Sequence, residues 1–381
     1  MKTMAIFGTR PEAIKILPLV KALKADARFE CQVAVTAQHR EMLDQVMDLF
    51  EVKADYDLDM MQAGQTLFDI TTRALTGLKP VLEEAKPDLV LVHGDTSTTF
   101  AGALAAYYLQ IPVGHVEAGL RSGNRYSPFP EEMNRRLTGN LANLHFAPTA
   151  KAQKNLLREG RPPRTVYVTG NTVIDALLDV ISKPCDFADR RLADLDFHKY
   201  RVVTVTTHRR ENLGSPMKGI YRALRRLLDE FPDTAAVFPM HKNPAVRTVA
   251  HSVLDGHERI ILTEPMGYLP FAHLMKQSHL VITDSGGLQE EAPALGKPVL
   301  VLRDTTERPE AIEAGTVWLT GTKEEDVYQQ GRLLLSDPRI YDSMAQAVNP
   351  YGDGQACRRI IEAIAHWRGW TEERPAPFAP A

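Results

Sequence analysis

A chain of 381 residues is longer than one hydrophobic core usually organises, so two domains of ordinary size are expected. With 44% apolar and 24% charged residues it falls among soluble globular proteins, and its net charge of −3 gives no general attraction to nucleic acid or to anionic membranes. Its three cysteines, Cys31, Cys185 and Cys357, are too scattered for a disulfide framework or a metal spacing. No apolar run approaches the roughly 20 residues of a membrane span, and Gly8 follows Met1 too soon for a signal peptide. The expectation is a cytoplasmic enzyme or binding protein.

Short β-branched runs alternate with helical patterns from end to end. Residues 4–7, 32–36, 89–93, 113–117 and 144–148 read as strands. After Gly170 the rhythm restarts with 201–206, 235–239, 259–262, 280–283 and 298–302. Near-continuous apolar runs mark strands buried on both faces, as in parallel sheets covered by helices. The fold class is therefore α/β with two Rossmann-like, doubly wound domains, 1–170 and 171–350, followed by a segment 351–381. The proline-rich end of that segment, 374–381, is expected to fray, because proline removes backbone donors.

Ligands of such sheets sit beyond the carboxyl ends of the strands, so the residues following each strand are the candidates for a site. The first strand leads into Gly8-Thr9-Arg10-Pro11-Glu12-Ala13-Ile14-Lys15, which puts Arg10 at the turn and Lys15 about one helical turn later. The third leads into His93-Gly94-Asp95-Thr96, where Asp95 could equally be a helix N-cap. The fourth closes on Glu117, a carboxylate that would be poorly solvated without a partner, followed by Glu131 to Arg136 after a proline-bearing loop. In the second half His208 follows one strand and His241 the next. Leu280 to Thr283 then runs into Asp284-Ser285-Gly286-Gly287, where two glycines let an anion approach the backbone, with Glu290 and Glu291 one turn further on. Together with the run Arg303 to Glu310, this points to a nucleotide site.

Taken in order, Gly8 to Lys15, His93 to Thr96, Glu117 to Arg121, Pro130 to Arg135, His208 to Asn212 and Asp284 to Gly287 resemble the bacterial non-hydrolysing UDP-N-acetylglucosamine 2-epimerases, from near the first residue to about residue 365. The resemblance implies the fold of the GT-B glycosyltransferases, two Rossmann-like domains facing across a cleft, with residues 351–367 as a helix returning to the first domain. It also implies a UDP-sugar substrate, a homodimer, and a role in cell-surface polysaccharide synthesis. The hydrogen on carbon 2 is not adjacent to a carbonyl, so a plain base cannot remove it at a useful rate. There is no G-x-G-x-x-G signature for an NAD that would oxidise the sugar. Expelling UDP from carbon 1 while a base takes that proton needs cations and carboxyl or imidazole groups, and calls for no metal or redox cofactor.

By resemblance, Asp95, Glu117 and Glu131 form the acid–base set, assisted by Lys15, Arg135 and His208. Arg10, Ser285, Gly286, Gly287 and Arg308 hold the diphosphate, Glu291 the ribose and Phe271 the uracil. A hydrolysing epimerase and a glycosyltransferase of the same fold are the alternatives. Some members bind a second substrate molecule as an activator. Gln38, His39 and Met42 resemble the wall of that second site, with Glu131, Arg209 and His241 beside it. Here Glu41 stands where activated members carry glutamine, and Gly64 where they carry arginine. Both changes disfavour a diphosphate, so this second site is expected to be weakened.

Overall fold

In a computed structural model the described residues are 1–37, 40–60, 62 and 64–380, with the side chains of residues 40 and 41 outside the description. The chain divides into two units, residues 1–179 with 351–380, and residues 180–350. The first holds seven strands: β1 (Lys2–Phe7), β2 (Glu30–Val35), β3 (Tyr56–Asp57), β4 (Leu89–His93), β5 (Val113–Val116), β6 (Leu144–Ala147) and β7 (Val166–Val168). They lie in the order β3-β2-β1-β4-β5-β6-β7, all parallel. The second holds β8 (Arg201–Thr206), β9 (Thr234–Pro239), β10 (Ile260–Thr263), β11 (Leu280–Thr283), β12 (Val299–Val301) and β13 (Val317–Leu319), in the order β10-β9-β8-β11-β12-β13, also parallel.

These are the two doubly wound α/β sheets that the apolar runs predict. Every residue of β4, β5, β6, β10 and β11 is buried, as strands covered on both faces must be. The edge strands β3, β7 and β13 were not among the expected strands. At two or three residues each, they are too short to show a period and are recognisable only by their neighbours.

In each sheet the strand order reverses once, between β1 and β4 and between β8 and β11. At such a switch point the two following loops run in opposite directions and leave a crevice at the strands' carboxyl ends. The segments that follow β1 and β4 carry Arg10, at the start of its helix, and Asp95, and those after β8 and β11 carry His208 and Ser285.

The carboxyl-terminal helix Ala356–Trp367 packs on the helix Arg10–Ala25 of the first unit, burying Ile360, Ala363 and Ile364. Its first turn is capped from a distance, since Asp175 accepts the N–H groups of Cys357 at 2.8 Å and Ala356 at 3.2 Å. The tail beyond it does not fray. Phe378 is buried, its N–H donates to Val168 O at 2.8 Å along the edge of β7, and the Arg374 guanidinium lies 4.2 Å from the Tyr167 ring centre. Proline content misleads here because a single aromatic ring supplies the burial that the prolines lack. Among the described residues no helix is long and apolar enough to cross a membrane.

Candidate active site

Thr9 opens the first helix and Glu12, three residues on, takes the Thr9 N–H at 2.8 Å. The same carboxylate accepts from Gly8 N (3.1 Å), Thr9 Oγ1 (2.8 Å), Thr96 Oγ1 (2.7 Å) and Thr99 Oγ1 (3.0 Å). One buried side chain thus ties the β1 loop to the β4 loop and sets the spacing of Arg10 and Asp95. Burial pushes the Glu12 carboxyl up against the pull of those donors. The cap of the helix Ser97–Tyr108 is Thr96, whose hydroxyl takes the Thr99 N–H at 3.0 Å. Asp95 is therefore not consumed as the cap.

Asp95 pairs with Arg135, which is buried in the helix Glu131–Leu141. Arg135 also donates to the Glu117 backbone oxygen and lies 3.3 Å from Glu117 Oε1. Lys15 pairs with Glu117 Oε2, which further accepts from Asn171 Nδ2 at 3.0 Å. Glu117 leaves β5 with φ of 59°, a left-handed backbone that costs a branched-chain-free residue about 1–3 kcal/mol and persists only where surrounding contacts impose it. Here those contacts are two cations and an amide. Lys15, Asp95, Glu117 and Arg135 are thus one contiguous network, and Glu131, on the first residue of Arg135's helix, adjoins it.

The electrostatics separate the carboxylates. Burial alone would raise Glu117, but the charges of Lys15 and Arg135 outweigh it and hold its carboxyl well below the usual range. Glu131 moves the other way, pushed up by partial burial and by the neighbouring charge of Asp95. His93, 3.9 Å from Glu117, is drawn down to about 4 by burial, with Lys15 and Arg135 reinforcing it, so it stays neutral at pH 7. The adjacent Glu132 is structural. It is buried, takes Ser122 N–H at 2.9 Å and pairs with Arg136 at 2.8 Å.

In the second unit, Asp284 directly follows β11 and is fully buried. Its Oδ1 lies 2.8 Å from His208 Nδ1, and its Oδ2 accepts His208 N–H (2.9 Å), Arg209 N–H (3.0 Å) and Asn212 Nδ2 (3.1 Å). The His208 ring is partly exposed and stacks on the ring of His241, with centres 6.1 Å apart. The following turn is braced by Gln289, which donates to Ser285 O at 3.1 Å and accepts from Thr306 at 2.6 Å. At Gly286 a Cβ would stand 2.7 Å from Arg308 Nη1, so a side chain there would push the guanidinium aside. The acidic pair splits by partner. Glu290 is buried against Arg308 Nε at 2.5 Å, while Glu291 accepts the Tyr268 hydroxyl at 2.7 Å. Phe271 lies on the same helix as Tyr268, Tyr268–Gln277, and is half-buried.

Of the second-site candidates, Gln38 and His39 lie outside the described residues, as does the side chain of Glu41. Met42 and His241 are exposed and Arg209 is half-buried, its Nε donating to Asp284 O at 2.9 Å. Gly64 adopts φ of 75°, a conformation arginine would occupy only under strain. Glu12, Asn171 and Asp284 stand in this polar framework without having been given a role from the sequence. Asp284 had a usable signal, a carboxylate closing an apolar run just as Glu117 does. Asn171 had none, since it reaches Glu117 across 54 positions of chain.

A family model described as UDP-N-acetylglucosamine 2-epimerase matches residues 21–365. The UDP-N-acetylglucosamine 2-epimerase of Bacillus subtilis is 53% identical over 378 residues, covering 99% of this chain and 98% of its own. Among solved structures, a putative UDP-N-acetylglucosamine 2-epimerase from Listeria monocytogenes superposes with a TM-score of 0.93 at 52% identity, covering 99% of both chains. The UDP-GlcNAc 2-epimerase of Neisseria meningitidis bound to UDP-GlcNAc does so with a TM-score of 0.87 at 50% identity, covering 96% of this chain and 99% of that one. The two parallel sheets are those of the GT-B-like epimerases, and the chain belongs to the UDP-N-acetylglucosamine 2-epimerase family.

Proposed function

We propose that the protein interconverts UDP-N-acetylglucosamine and UDP-N-acetylmannosamine without hydrolysing them. The observation that carries this reading is the buried network of Lys15, Glu117, Arg135 and Asp95 with Glu131 at its border. The bond from carbon 1 to the UDP oxygen breaks as a carboxylate takes the proton on carbon 2, leaving a carbon–carbon double bond between them. UDP then adds back to carbon 1, and a proton is delivered to carbon 2 from the other face. Such a cycle needs one group that is ionised and one able to hold a proton. Glu117 held low and Glu131 pushed high support that division of labour. Lys15 and Arg135 keep the negative charge in place, and neutral His93 adds none of its own. On the second unit, the backbone of Ser285, Gly286 and Gly287 with Arg308 takes the diphosphate, and Glu291, aimed by Tyr268, takes the ribose. By the resemblance, we also assign His208 to the catalytic groups.

The test is proton NMR of UDP-N-acetylglucosamine with purified protein in deuterium oxide. Deuterium should enter carbon 2 of both epimers without added NAD or metal, and no free N-acetylmannosamine should accumulate. Retention of the original hydrogen refutes elimination, and free sugar refutes the non-hydrolysing assignment. As the resemblance further implies, we take the working form to be a cytoplasmic homodimer whose product feeds cell-surface polysaccharide synthesis. Light scattering on the eluted protein tests the dimer.

A further inference from the structure

We infer that Asp284 is a positioning residue for the epimerisation, selecting the tautomer of His208 so that its Nε2 carries the free lone pair. The inference rests on the proposed function for what His208 does, but its geometry stands alone. A fully buried carboxylate costs free energy unless its lone pairs are used, and Asp284 uses them on one loop. Three donors meet Oδ2, namely His208 N–H, Arg209 N–H and Asn212 Nδ2. Oδ1 is left to face His208 Nδ1 at 2.8 Å, with the His208 N–H as a longer contact at 3.1 Å. A carboxylate only accepts, so Nδ1 must carry the proton and neutral His208 must present Nε2 unprotonated. The ring is partly exposed, and stacking on His241 holds its plane. Nearby, among the described residues, Arg209 donates to Asp284 O, and the Tyr221 hydroxyl is hydrogen-bonded with Thr207, the residue before His208.

The same contacts state what Asp284→Asn would do. The three donors at Oδ2 hold the amide oxygen there, so the amide NH₂ turns to His208 Nδ1 and forces the proton onto Nε2. The residue keeps its shape while the imidazole presents the wrong nitrogen. Loss of one general acid–base function typically lowers turnover about 10²–10⁴-fold, and Asp284→Asn should fall in that range. A merely structural role is separated by a double-mutant cycle. In a His208→Gln background, Asp284→Asn should lower kcat by less than about 3-fold, because the residue it acts through is gone. An equal loss in both backgrounds overturns the inference, as does unchanged kcat in the single variant. A second measurement needs no change at Asp284. Nitrogen-15 histidine NMR of the full-length protein at mildly alkaline pH, with the His208 signals assigned by their absence in His208→Gln, should show the proton on Nδ1. A proton on Nε2 overturns the inference even if Asp284→Asn does not fold. Should the unaltered protein exchange no deuterium at carbon 2, the proposed function fails, and the tautomer spectrum still decides the role of Asp284.

Discussion

Replacing Glu117 by Gln preserves its shape and removes the one charge that Lys15 and Arg135 share. Breaking a buried ion pair by removing one partner costs about 3–5 kcal/mol when the other charge is left with nothing. Neither cation is left so here. Arg135 keeps Asp95 and the Glu117 backbone oxygen, Lys15 is 15% exposed and can recruit water, and Asn171 can bond a carboxamide as well as a carboxylate. Two weakened charge-assisted bonds at the low end of their range give a loss of about 3 kcal/mol, and hence a melting point about 6–12 °C lower for a unit of this size. The pH dependence has a definite sign. The folded carboxyl titrates below its unfolded value, so its contribution is fully present above the unfolded pKa and is lost as pH falls through the folded one. Calorimetry of the two proteins should therefore show a constant gap near neutrality that closes in acid. Turnover should fall by about 10²–10⁴-fold with UDP affinity nearly unchanged. Melting points within 2 °C at pH 7, or a gap that widens in acid, would refute the network as described.

Asp95→Asn and Glu131→Gln should each depress turnover within the same range of about 10²–10⁴-fold while sparing UDP affinity. Two of the three carboxamide variants retaining near wild-type rates would put the chemistry elsewhere. Glu291→Gln should do the reverse, and Tyr268→Phe, which removes only the 2.7 Å bond that aims Glu291, should weaken UDP binding about 3- to 10-fold by calorimetric titration. UDP-N-acetylmannosamine alone should be converted in reverse without a long lag, because Glu41 and Gly64 disfavour a second diphosphate. If reverse progress curves start only after trace UDP-N-acetylglucosamine is added, that site survives. Phe378→Ala should lower the melting point through loss of about 2–3 kcal/mol of ring burial, whereas a frayed tail would leave it unchanged.

The β-branched runs were enough to identify two parallel α/β sheets, and the residues that follow them to give a set of candidates from which the family resemblance, not the local pattern, chose Lys15, Asp95, Glu117, Arg135 and His208. Those properties are local: strand period, burial on both faces and the convergence of strand ends follow from a few adjacent residues. What local pattern could not assign was partnership. Asp95 could have been a helix cap until Thr96 proved to be the cap, and Glu290 and Glu291 were interchangeable until one met Arg308 and the other Tyr268. Glu12 looked like a first-turn residue, yet it joins loops 84 positions apart. The short edge strands and the buried Phe378 were hidden for the same reason, since each exists only by what lies beside it. A carboxylate's ionisation depends on burial and on charges brought near from distant positions. Only the tertiary structure could therefore set Glu117 low and Glu131 high.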